Sequence, residues 1–347
     1  MTTIRSVLVV AVLASLSVAA AVGGCGGKAA PSTSVPRGPA CTASPTTLVQ
    51  PYWTQPDAFQ SQVAGIAVND TSIFFGLYGP NSLWSMPIAG GAPRLLVSTS
   101  GGLDVLLATP AGVIFTEAVV DSTGNQTDDI VSIPAAGGAP TTLAAFRGWL
   151  RSLVADEAAL FFSDAEGTKT VPLAGGTVSL LTSRSGTLGL VGPSVVIADA
   201  GGGNVFSIPK TGGSLTTLAT SQPNPAFPVS CGEDICWLNS IDCAGLPDAD
   251  VCVADEGEGA LVRLPPQGAP VTLAEASTLY GPTGMTFDGA SFLVTIALDA
   301  SVDGPLVRVP AAGGAPVVIG SADSAVVSGA CVYVIDWNEG VYTLASE

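Results

Sequence analysis

A chain of 347 residues that carries 28 acidic against 11 basic side chains and no histidine excludes several functions before any motif is considered. Its net charge of -17 repels phosphate backbones and argues against a nucleic-acid partner, and the absence of histidine removes the commonest general base and metal ligand. Only 11% of residues are charged while 47% are hydrophobic, a balance that suits strands buried on both faces.

The N-terminus reads as an export signal: Arg5 supplies the positive region, Val7 to Val22 is an uncharged apolar run of 16 residues, and small residues follow. That run is short for a membrane span. Val22-Gly23-Gly24-Cys25 resembles the lipobox of bacterial lipoproteins, which implies acylation of Cys25 as the mature N-terminus. Ordinary signal cleavage and an uncleaved N-terminal anchor are the alternatives. Residues 26–45 contain Pro31, Pro36, Pro39 and Pro45 among small polar residues and read as a flexible tether. The expected divisions are thus a signal segment over 1–25, a tether over 26–45 and one folded domain over 46–347. The expected location is the cell envelope, at the outer membrane, facing the periplasm or the surface, with the lipid anchor as the only contact with the membrane.

From residue 84 onward one pattern recurs. Strand-like runs end at Met86-Pro87, Ile133-Pro134, Val171-Pro172, Ile208-Pro209, Leu264-Pro265 and Val309-Pro310, with proline spacings of 47, 38, 37, 56 and 45. Residues before each proline alternate with the period of a strand. The proline cannot donate to a ladder and closes the strand, a Gly-Gly pair such as Gly137-Gly138 takes the positive φ angles of a tight turn, and a short strand such as Thr141 to Ala144 returns. Two further strand-like runs precede each hairpin, for example 65–68 and 72–77 around Asn69-Asp70. Four strands per unit and a period near 40 predict an all-β, seven-bladed β-propeller, with a six-bladed ring as the alternative.

The seventh unit, from Ala325 to Leu344, lacks a fourth strand, and Thr46-Thr47-Leu48-Val49 matches the missing one. An N-terminal strand closing the C-terminal sheet would also remove exposed strand edges. Six cysteines follow Cys25, an even number that in an exported chain favours three disulfides over metal thiolates. Cys41 precedes the closing strand and Cys331 opens the second strand of the same unit, so a Cys41 to Cys331 bridge would lock the seam. Cys231 and Cys236 flank one turn, and Cys243 with Cys252 would close the insertion of the fifth unit. These pairings are one of 15 connectivities.

Phe161-Phe162-Ser163-Asp164 with Gly167, then Val171-Pro172 and Gly175-Gly176, resembles the repeat unit of propellers of the NHL and YWTD type. Ile197-Ala198-Asp199 with Ile208-Pro209, and Val334-Ile335-Asp336-Trp337 with Gly340, are similar. Residues 46–347 also look like lipoprotein propellers of unassigned function in myxobacteria and related deltaproteobacteria. The resemblance implies the fold alone, and the YWTD tetrapeptide itself is missing.

Connections between second and third strands should share one face of the ring, and they hold sixteen of the 28 acidic residues. Asp248, Asp250, Asp255 and Glu256 form the densest cluster, and Asp299, Asp303 and Trp337 join them as binding-face candidates; Tyr78 lies near the same loops. Acidic residues also suit solvated turns, where Asp accepts backbone hydrogen bonds. The cluster lacks the ligand spacing and fixed glycine of an EF-hand, so the calcium signal is weak and no other cofactor is indicated. No catalytic residue emerges. The channel-lining first strands are apolar apart from Asp104 and Arg151 near an entrance, and Lys169 and Lys210 sit on outer hairpins. Trp84, Phe206 and Tyr342 follow the strand alternation and read as blade packing. The expectation is a monomeric, non-catalytic envelope lipoprotein that binds a protein or peptide partner, basic in character, through its acidic face. A hydrolase or lyase with a channel metal, and a structural subunit of an envelope complex, are the alternatives.

Overall fold

The chain divides into two units, Met1–Arg37 and Gly38–Glu347. The computed structural model describes residues 46–49, 63–77, 81–120, 126–146, 150–240, 258–296, 304–329, 331–336 and 340–345, all in the second unit. Cys25, Cys41, Cys243 and Cys252 lie outside them, as do Tyr78, Asp248, Asp250, Asp255, Glu256, Asp299, Asp303 and Trp337.

Seven four-stranded antiparallel sheets form the ring. The short strand β1 (Thr46–Val49) comes first in the chain and belongs to the last blade. Blade one is β2 (Val63–Val68), β3 (Ser72–Leu77), β4 (Ser82–Pro87) and β5 (Arg94–Ser98). Blade two is β6 (Leu103–Thr109), β7 (Gly112–Val120), β8 (Gln126–Pro134) and β9 (Thr141–Phe146). Blade three is β10 (Ser152–Ala155), β11 (Ala159–Asp164), β12 (Gly167–Pro172) and β13 (Ser179–Thr182). Blade four is β14 (Thr187–Val191), β15 (Ser194–Asp199), β16 (Asn204–Pro209) and β17 (Thr216–Ala219). Blade five is β18 (Pro225–Cys231), β19 (Asp234–Ser240), β20 (Gly259–Leu264) and β21 (Val271–Ala276). Blade six is β22 (Pro282–Phe287), β23 (Ser291–Ile296), β24 (Gly304–Pro310) and β25 (Val317–Ala322). Blade seven is β26 (Ser324–Ser328), β27 (Cys331–Asp336) and β28 (Gly340–Ala345), completed by β1. The seven sheets settle the blade number, and the six-bladed alternative falls.

Ring closure follows the sequence. Thr46 and Thr47 lie opposite Thr343 and Tyr342 of β28, so the first strand of the chain completes the last sheet, and the innermost strands β2 and β26 touch across the seam. Seven separate apolar clusters fill the seven interfaces between neighbouring blades, as in the seam cluster of Ile66, Phe75, Met86, Tyr333 and Val341. Second strands such as β11 and β15 are buried almost throughout, because both of their faces meet a neighbouring blade.

The proline hairpins take the expected form. Gly90, Gly137, Gly175, Gly212 and Gly313 each donate a backbone N–H to the carbonyl of the proline three residues earlier, at 2.8–2.9 Å. Both glycines of each pair have positive φ, for example +76° and +135° at Gly137 and Gly138, a region that a Cβ disfavours. Arg94 ties the turn of the next blade, donating to the carbonyls of Ala136 and Ala135 at 2.8 Å each. These turns lie on one face of the ring, the turn face. The connections from second to third strand lie on the other, the loop face. The strands β7 and β8 have nine residues each, so Asp128 and Asp129, expected in a connection, instead belong to a strand that extends on the loop-face side.

Cys231 and Cys236 are joined, with an S–S distance of 2.06 Å, across the β18–β19 hairpin. Cys331 opens β27 and is also disulfide-bonded; its partner lies outside the described residues.

Candidate functional site

The residues chosen from sequence as the binding face fall in connections outside the described residues, but the strands that bound them are defined. The strand β19 ends at Ser240 and β20 resumes at Gly259. Likewise β23 ends at Ile296 with β24 resuming at Gly304, and β27 ends at Asp336 with β28 resuming at Gly340. All these ends lie on the loop face, as does the Asp164–Gly167 turn.

On the loop face, a largely buried ion pair lies between blades two and three. Lys169 projects from the middle of β12, and its Nζ donates to Asp164 Oδ2 at 2.7 Å and to Glu166 Oε2 at 2.6 Å. Asp164 is fully buried, Lys169 is 13% exposed and Glu166 is 73% exposed. The other oxygen of Asp164 accepts the backbone N–H groups of Glu166 at 2.9 Å and Gly167 at 3.2 Å. Gly167 has φ of +138°, and a Cβ there would collide with the Thr182 carbonyl oxygen, so the turn that holds Asp164 requires glycine. Sequence reasoning expects the acidic turns to be solvated. Asp164 and Asp336 are instead completely buried, with Asp336 Oδ2 accepting from the Ser321 hydroxyl at 2.6 Å.

Burial pulls the Lys169 pKa down, but hydrogen bonds to Asp164 and Glu166, together with their charges, outweigh it and hold the group above the ordinary lysine value. Such a lysine stays protonated at neutral pH and is unsuited to act as a base. Lys210, on the turn face, pairs with Asp156 at 3.0 Å. The Asp156 carboxyl is raised by burial and, more strongly, lowered by the N–H groups of Ala158 and Ala159 and by Lys210, so its pKa lies below the usual value.

The seven-fold repeat shows how unusual Lys169 is. In register, the third-strand residue opposite the middle of each second strand is Trp84, Val131, Lys169, Phe206, Val262, Val307 or Tyr342. Each faces the preceding blade, and six of the seven are apolar. Phe206 (5% exposed) and Tyr342 (2% exposed) are interface packing, as expected from sequence, and Trp84 is half-buried with its Nε1 donating to Ser82 Oγ at 2.9 Å. In blade three the ammonium takes this place. A cleft of about 340 Å³ lies beside it, lined by Thr127, Ala145, Phe146, Glu166 and Lys169. Beneath it, Phe146 and Phe162 contact each other with ring centroids 6.2 Å apart, and the Lys169 Nζ is 5.9 Å from the Phe162 centroid.

Among the described residues, no group of three or more Cys, Asp or Glu side chains is arranged to hold a metal. Arg151, exposed at the inner end of the loop face, donates its backbone N–H to the Ser163 carbonyl at 2.8 Å. Arg184 stacks over Phe206 at 5.2 Å.

No protein-family description and no curated protein matches the sequence. Solved structures match by shape. Hydrazine synthase of Kuenenia stuttgartiensis is 11% identical with a TM-score of 0.60, over 84% of this chain and 98% of that one. The computationally designed Ika8 protein is 13% identical with a TM-score of 0.52, over 86% and 99%. PorZ, a bacterial surface component of the type-IX secretion system of Porphyromonas gingivalis, is 12% identical with a TM-score of 0.56, over 87% of this chain; the match spans 39% of the PorZ chain. At these identities the likeness shows the fold: the chain is a seven-bladed β-propeller.

Proposed function

We propose that this protein is a non-catalytic binding platform, a lipid-anchored propeller of the cell envelope whose loop face receives a basic protein or peptide. The observation that carries this reading is the segregation of the two faces. One face is closed by repeated proline and Gly-Gly turns bonded within themselves, and the other gathers the connections that break the repeat, where acidic residues concentrate. Both described lysines are ion-paired, which leaves neither free to activate a nucleophile and supports the non-catalytic reading. The Asp-to-Gly turn of blade three, with Asp164 buried and Gly167 forced, holds Lys169 in its ion pair.

The test is affinity for an immobilised oligolysine probe. Replacing Asp248, Asp250 and Asp255 with Asn and Glu256 with Gln should weaken binding by about tenfold at low salt and flatten its salt dependence, since exposed charges act within a Debye length of about 10 Å at 0.1 M. Equal affinity of the two proteins would overturn the reading.

A further inference from the structure

We propose that the cleft between blades two and three binds a small carboxylate with an apolar body, and that Glu166 occupies the position of the ligand carboxylate in the free protein. This site goes beyond the platform reading and does not depend on it.

Lys169 is costly where it stands. At the equivalent position six blades pack Trp84, Val131, Phe206, Val262, Val307 or Tyr342 against a neighbour, so the ring does not need a charge there. A buried ion pair is generally no more stabilising than the apolar residues that could replace it. The pair is therefore poorly explained by stability and well explained by recognition.

The donors and acceptors then select the ligand. Asp164 is fully buried and engaged through both oxygens, one taking two backbone N–H groups and the other taking Lys169. It offers nothing to an incoming cation, and Lys169 repels one. The ammonium has three donors; Asp164 fixes one from below, and the highly exposed Glu166 takes another at 2.6 Å. An exposed pair of this kind is weak. Glu166 can swing into solvent, leaving the neutral Lys169–Asp164 pair to bind another carboxylate. The Ala145 and Phe146 wall would receive the apolar body, and Thr127 adds a hydroxyl to the lining. A cavity of about 340 Å³ falls at the small end of ligand pockets, roughly 300–1,000 Å³, and suits a single small acid.

The probe is benzoate, titrated calorimetrically at neutral pH against the full chain, with benzamide as neutral isostere and benzylamine as cation. Benzoate should bind, benzamide should bind about tenfold more weakly because it lacks the charge, and benzylamine should not bind. Glu166→Gln should strengthen benzoate binding by about threefold by removing the competing carboxylate, and Lys169→Met should abolish it. In case Lys169→Met fails to fold with Asp164 unpaired, Asp164→Asn with Lys169→Val introduces the residue types that blade five already holds in Asn239 and Val262 of its second and third strands, and it should also lose benzoate binding. Benzoate affinity unchanged in the double variant, no benzoate binding by the wild type, weakened binding by Glu166→Gln, or preference for benzylamine would each overturn the proposal. Oligolysine affinity should be the same in the double variant as in the wild type, so failure here leaves the platform reading intact, and the reverse also holds.

Discussion

Lys169 shows how a single residue can be read only against its repeat. The sequence alone places it three residues before Pro172, where the other copies have Trp84, Val131, Phe206, Val262 and Val307 before their prolines, so the anomaly is visible in the spacing. What the spacing does not show is depth. Asp164 and Glu166 both read as acidic turn residues, yet one is fully buried and the other 73% exposed, because the Gly167 turn folds Asp164 under the blade edge and leaves Glu166 outside. The energetic expectation follows from burial. Lys169→Val alone strands the Asp164 charge and should cost about 3 kcal/mol, whereas Asp164→Asn with Lys169→Val should match or exceed wild-type stability by up to about 3 kcal/mol in chemical denaturation at neutral pH. The Lys169 pKa is raised on folding, so its contribution is complete below the unfolded lysine value near 10.4 and is lost as pH rises through the higher folded value. As pH rises above about 10.4 the wild type should lose more stability than the double variant; equal losses would mean that folding does not hold the Lys169 proton.

At the scale of elements, nearly all of the ring is legible because turn chemistry marks it. Each proline stops a ladder, each Gly-Gly pair supplies positive φ, and the unpaired seventh unit points to its missing strand at Thr46 to Val49. Less visible are the register shifts between third and fourth strands, which recur in all seven blades, as between Thr168 and Lys169 or Val205 and Phe206. A bulge leaves no mark in a period of two until the partner strand is known. The Cys231–Cys236 hairpin bridge is legible from spacing, and Cys236 is buried in the cluster between blades five and six. Replacing both with Ala should lower stability by about 2 kcal/mol in the chain-entropy account of a short loop. Thermal melting of the oxidised wild type beside the oxidised variant checks this, because a reductant would also open the bridge at Cys331; equal melting would contradict it.

The whole molecule separates its repeated connections from its variable ones by face. The turn face repeats because every blade needs the same closure. The loop face varies because the second-to-third connections are free to lengthen, as between Ser240 and Gly259 in blade five. Hydrazine synthase, PorZ and a designed protein are similar in fold, so the architecture alone selects no activity, and the proposed binding platform rests on the acidic residues that the sequence places in the second-to-third connections. Hydrogen exchange of the full chain with and without oligolysine tests that claim most directly. Protection confined to the second-to-third connections, with residues 241–258 foremost, is the predicted result. Protection on the Gly-Gly turns or on the innermost strands would contradict it.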